Sequence, residues 1–138
     1  MTDDPLAPVL AGTTPPGVLS WPAGLPTAQA VDAARAAQWE AAVLDLSGVT
    51  DKAGLMTAFA DALRLPDWFG ANWDALADSL TDLEWWPTRG GRLILVREWQ
   101  VFAKARPDEW GVLQEIFADA AARWRETDTG LVVLMALG

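Results

Sequence analysis

The sequence contains no cysteine, no histidine and no tyrosine. Without cysteine there is neither a thiol nucleophile nor a disulfide framework, so nothing marks an oxidising compartment. Without histidine as well, zinc-finger spacings and a Ser-His-Asp relay are excluded. Basic residues are scarce. Ten Lys and Arg against 19 Asp and Glu give a net charge of −9 over 138 residues. That balance disfavours direct nucleic-acid binding, because phosphate recognition rests largely on Lys and Arg. It suits a chain that attracts a basic partner. Long apolar runs are missing too. The longest, Leu131 to Leu137, falls far short of the roughly 20 residues a membrane span needs. The start, MTDDPLAPVL, carries Asp3 and Asp4 and no basic residue, unlike a signal-peptide n-region. The expectation is a cytoplasmic protein that engages no membrane.

What is present organises one domain with a real core, since 51% of the residues are hydrophobic and the length is sufficient. Prolines 5, 8, 15, 16, 22 and 26 crowd the beginning. Each fixes φ and lacks an N–H, so that stretch cannot form one continuous element. Residues 1–16 read as a mobile or loosely packed arm. Residues 17–40 read as an extension with a candidate edge strand, GVLSW, and an Ala-rich helix opened by Thr27 as N-cap. Residues 41–138 read as the main domain.

Three short apolar runs follow: Ala41–Leu46, Leu93–Val96 and Leu131–Leu137. None alternates cleanly, as expected of strands buried on both faces of a parallel sheet. Between them lie helical patterns. Leu55, Met56, Phe59 and Leu63 share one stripe; Trp110, Leu113, Phe117, Ala120 and Trp124 share another, at spacings of three and four. Pro107 suits the first helical position. The predicted class is α/β, with a small, mainly parallel three-stranded sheet packed with helices and the edge strand as a candidate fourth.

The stretch richest in chemistry is Leu65–Asp82, LPDWFGANWDALADSLTD. Pro66 ends the preceding helix. Gly70 permits an unusual backbone angle. Asn72 is a good N-cap for a helix from Trp73 to about Leu80. On it, Leu76, Leu80 and Leu83 form a buried stripe. Asp74, Asp78 and Asp82, at i, i+4 and i+8, form an acidic one. Like charges at that spacing cost a helix roughly 0.2–0.5 kcal/mol per pair, and no Lys or Arg lies within the segment to offset them. Two readings stand: a solvated face, or a face for an external cation, either a metal or the Arg and Lys of a partner. The neighbouring Trp68, Phe69 and Trp73 suit an interface as well as a core.

LPDWFGANWDALADSL resembles, without a gap, the signature of the barstar family, inhibitors of secreted bacterial ribonucleases, which in barstar reads LPEYYGENLDALWDCL. The element order is similar as well, including the pair Glu98-Trp99 after the second main strand, and the likeness covers roughly Ala41 to Gly138. The resemblance implies that the chain is not an enzyme, needs no cofactor or metal, and plugs the phosphate-binding active site of a basic ribonuclease with an acidic helix and its preceding loop. Carried over by position, Asp78 takes the central inhibitory place and Asp74 the one a turn earlier. Gly70 and Asn72 fall on contacting loop positions, Trp68 replaces a contacting Tyr, and Trp73 flanks them. Asp119 aligns with a contacting Glu, although Arg123 at i+4 could instead pair with it locally. Asp119 is itself a departure, being shorter than that Glu, and the chain departs from the pattern in three further places. Ala77 stands where barstar has Trp, the loop Glu84–Gly91 is longer and carries Trp85, Trp86 and a candidate cis Trp86–Pro87 bond, and the first forty residues have no counterpart. These departures keep open an immunity protein for another nuclease toxin, or a binding module for a non-nuclease partner. Asp74 and Asp78 as metal ligands or an acid–base pair form the remaining alternative; adjacent turns of one helix supply few ligands for a hard cation.

Overall fold

A computed structural model describes residues 4–65, 70–83 and 85–138. In chain order the described elements are α1 (Ala7–Leu10), β1 (Val18–Trp21), α2 (Thr27–Ala36), β2 (Glu40–Asp45), α3 (Lys52–Leu63), α4 (Trp73–Asp82), β3 (Gly91–Arg97), α5 (Gln100–Ala105), α6 (Pro107–Trp124) and β4 (Gly130–Ala136). The four strands form one sheet in the order β1-β4-β3-β2, and every pairing is parallel. The candidate edge strand is therefore a full member, with Val18 opposite Val133 and Trp21 opposite Ala136.

The apolar runs follow from this placement. Successive strand side chains point to opposite faces, so β3 and β4 each feed two cores. Ile94, Val96, Leu131, Val133 and Met135 enter the larger one, with the apolar faces of α3, α4 and α6. Leu93, Leu95, Val132, Leu134 and Ala136 enter the second. That second core is closed by Leu6, Val9, Trp21, Ala30 and Ala34, all from the first 36 residues. Within residues 4–16 the structure thus departs from a loosely packed arm. Asp4 Oδ1 accepts from the amides of Leu6 and Ala7 at 2.8 and 3.2 Å, α1 forms, and Leu6 has no solvent exposure.

Local signals set most boundaries. Asp51 caps α3, its carboxylate accepting from Gly54 N at 2.8 Å, and Pro107 opens α6. Thr27 does not cap α2. It is the first helical residue, and the N-cap is the extended Pro26, which makes no side-chain cap bond. The short helix α5 has no counterpart in the sequence pattern. The Trp86–Pro87 bond is trans. Glycines 90 and 91 stand at the junction of the loop and β3, where the Trp39 indole lies against both. A Cβ on either would come within 2.8 Å of the indole, closer than any real contact.

Candidate protein-binding site

Helix α4 starts where the sequence places it. Asn72 has extended backbone angles and its Oδ1 accepts from Ala75 N at 2.7 Å, satisfying one of the orphan donors of the first turn. Asp74 occupies that turn, where the helix dipole favours an anion. The loop geometry differs from expectation at one residue. Gly70 is not left-handed; Ala71 is, with φ 53°. What Gly70 supplies is space, since a Cβ there would sit 3.2 Å from Asn72 Nδ2 and 3.6 Å from Ala75 Cβ. Its hydrogen protects the cap.

The helix divides cleanly. Leu76, Leu80 and the following Leu83 are fully buried, while Asp74, Asp78 and Asp82 are exposed. Among the described residues no Lys or Arg nitrogen comes within salt-bridge distance of the three carboxylates; the ion pair that does form is Arg97–Asp45, at 3.7 Å and far from α4 in sequence. Trp73 is half-buried against the larger core, with Lys52 Nζ 5.8 Å from its ring centroid. It anchors the helix start more than it presents a free aromatic face. Trp68 lies outside the described residues.

Asp119 comes to the same place from a different helix. It is exposed on α6 and, with Asp78, lines a notch of about 130 Å³ between α4 and α6. Ala77, Ile116 and Ala120 are its apolar walls, and Thr81 and Arg123 complete the rim. The small side chain of Ala77 leaves this notch open. Asp119 and Arg123 share the rim without forming an ion pair within 4.0 Å. The Thr81 hydroxyl is occupied internally, donating to Ala77 O or Asp78 O, each at 3.1 Å. The structure thus brings Asp74, Asp78, Asp82 and Asp119 to one side of the molecule, beside a loop held by Gly70 and Asn72. Among the described residues no group of three carboxylates converges as a metal cradle.

Trp99, Trp110 and Trp124 are half-buried and pack against the larger core. Trp99 and Trp110 stack at 5.0 Å with ring planes 2° apart, and Trp99 Nε1 donates to Ala136 O at 2.8 Å. Trp85 and Trp86 both pack against the larger core, and Trp85 Nε1 donates to Leu63 O at 3.2 Å.

A family model described as Barstar (barnase inhibitor) matches residues 39–136. The chain belongs to the barstar family. No match was found among curated proteins. The barstar match spans β2 to the end of β4 and contains α4, α6 and all four carboxylates of the acidic face. It leaves outside it the residues that close the second core. The family is one of protein inhibitors, and no helix among the described residues is long and apolar enough to cross a membrane.

Proposed function

We propose that the chain is a stoichiometric protein inhibitor of a ribonuclease with a basic active site. It inserts α4 and the loop before it into the phosphate-binding cleft of that enzyme. The observation that carries this reading is the capped helix whose three exposed carboxylates have no cationic partner within salt-bridge distance among the described residues. A nuclease must hold phosphate with Arg, Lys or His. Carboxylates on a fixed helix offer those cations matched charge with no bond to cleave. Asp78 takes the central role, because the notch places it next to Asp119 and two cations or one bifurcating guanidinium can be held there. Asp74 and Asp82 extend the field, and Gly70 and Asn72 set the loop. Trp68 is assigned to the contact by family position, Trp73 to the base of the helix. Residues 4–38 act as a structural annex of the domain, and the site of action is the cytoplasm of a producing cell.

Truncating one member of a desolvated charge pair costs about 2–5 kcal/mol, an expectation carried over from the barnase–barstar pair. Asp78→Ala is therefore expected to weaken inhibition by roughly 30-fold to several thousand-fold. Its melting temperature should stay level or rise, since the side chain is exposed among like charges. The assay is inhibition of a panel of small bacterial ribonucleases by wild type and variant. Unchanged inhibition together with a lower melting temperature would make Asp78 a structural residue and sink the assignment. A pull-down from the native host separates the readings. Recovery of a non-nuclease partner in place of any nuclease turns the same surface into a general binding module.

A further inference from the structure

Helix α4 lacks a feature that a solvent-facing acidic helix needs. No basic residue lies in its last turn, so nothing on the helix itself offsets the negative pole of the dipole. Asp82, its last residue, adds a further negative charge there. The missing cation is supplied from the sheet. Arg92, the second residue of β3, is buried with 6% exposure. Its Nη2 donates to Leu83 O at 3.1 Å and its Nε donates to Trp86 O at 2.7 Å. Leu83 is the left-handed C-cap of α4, with φ 53°. The guanidinium lies 4.7 Å from the centroid of the Trp124 ring. Trp124, at the end of α6, donates its own Nε1 to Leu80 O at 2.7 Å. Two carbonyls at the end of α4 are thus held by two side chains that touch each other. One comes from β3 and the other from α6.

We propose that Arg92 and Trp124 are positioning residues that clamp the C-terminal turn of α4 to both the sheet and α6, and so fix the distance between Asp78 and Asp119. The proposal rests on the inhibitor reading for its functional consequence, but not for the clamp itself. Asp78 and Asp119 stand on different helices, and their shared notch keeps its shape only if those helices hold one relative position. Leucine packing alone is non-directional. The hydrogen bonds to Leu80 and Leu83 are directional, and those from a charged guanidinium are the stronger kind. A face held in its bound geometry before the encounter avoids the ordering cost of binding. Burial lowers the pKa of Arg92 from its usual value, yet a guanidinium starts so high that it remains charged. Lysine would keep the charge without the fork that reaches two carbonyls at once.

The test uses the full chain carrying Arg92→Met, Arg92→Lys or Trp124→Phe. Amide hydrogen exchange is measured first, without any partner. In Arg92→Met the amides of Leu80 to Leu83 are expected to exchange roughly 10- to 100-fold faster than in wild type, the scale of a lost charge-assisted bond. Amides at the centre of β4 should change by a smaller factor. Trp124→Phe removes the indole N–H and trims the ring system to a phenyl, and since a neutral hydrogen bond is weaker than a charge-assisted one, it should give the same pattern more weakly. If α4 keeps its wild-type protection, or loses it by the same factor as β4, the clamp is refuted. Binding to barnase is measured second. All surface carboxylates are retained, so the association rate and its salt dependence should stay within about twofold of wild type, while dissociation accelerates roughly tenfold or more. Arg92→Lys should recover part of that loss. A change confined to the association rate would also refute the proposal. If the wild type ignores barnase, the inhibitor reading fails for that nuclease, and the exchange pattern alone decides the clamp.

Discussion

Ser79 sits one residue after Asp78 and points the other way. It is fully buried, and its hydroxyl finds no hydrogen-bond partner among the described residues. An unsatisfied buried hydroxyl costs on the order of 1–3 kcal/mol. Ser79→Ala is therefore expected to raise stability by about 1 kcal/mol in urea unfolding, with nuclease inhibition unchanged because Asp78 keeps its place. A loss of stability would mean that the hydroxyl has a partner after all. Asn72 gives the opposite case. Its cap bond is short and specific, so Asn72→Ala should cost about 1 kcal/mol, and the loss should appear as fraying at Trp73 and Asp74. Asn72 is legible from sequence because capping is a local event between residues three apart. The role of Gly70 is not. The sequence marks a glycine where the chain turns, but the left-handed angle falls on Ala71, and the glycine is needed for the room it leaves beside the cap.

At the scale of elements, the strands and the long helices were readable because their signals are periodic or continuous. Leu93–Val96 and Leu131–Ala136 are apolar at every position because both faces of the sheet are covered, and the stripes of α3 and α6 follow from one-sided burial. The first 16 residues were not readable in the same way. Prolines at 5, 8, 15 and 16 break every period, and the one-turn helix α1 is too short to show one. Its packing depends on a groove that only the folded sheet provides. This has a direct consequence. If Leu6 were part of a loose arm, Leu6→Ala would change stability by no more than about 0.5 kcal/mol. Because Leu6 is fully buried in the second core, the expected cost is about 2–5 kcal/mol, measured by chemical denaturation. A value near zero would return residues 4–16 to the status of an arm.

At the scale of the whole molecule, the net charge of −9 acts through its distribution. Arg92 is consumed at the end of α4 and Arg97 is paired with Asp45, while the acidic face of α4 and α6 keeps its carboxylates uncompensated by salt bridges among the described residues. The adjacency of Asp78 and Asp119 was invisible to spacing rules, because it depends on how two helices distant in sequence pack; only the family resemblance pointed to it. Such a face produces a field that reaches beyond contact, and fields and contacts respond differently to salt. The screening length is about 30 Å at 0.01 M ionic strength and about 3 Å at 1 M. Over that range, association with a basic ribonuclease is expected to slow by roughly 10- to 1,000-fold, while dissociation changes far less. Asp82→Asn, at the margin of the face, should reduce the low-salt association rate and flatten its salt dependence with little effect on dissociation. Asp78→Asn, beside the notch, should act mainly on dissociation. Stopped-flow association and competition-chase dissociation at several salt concentrations separate the two. If both variants move only the association rate, the acidic face steers the partner without entering its cleft, and the plug-like mode of binding is wrong even though an electrostatic interaction exists.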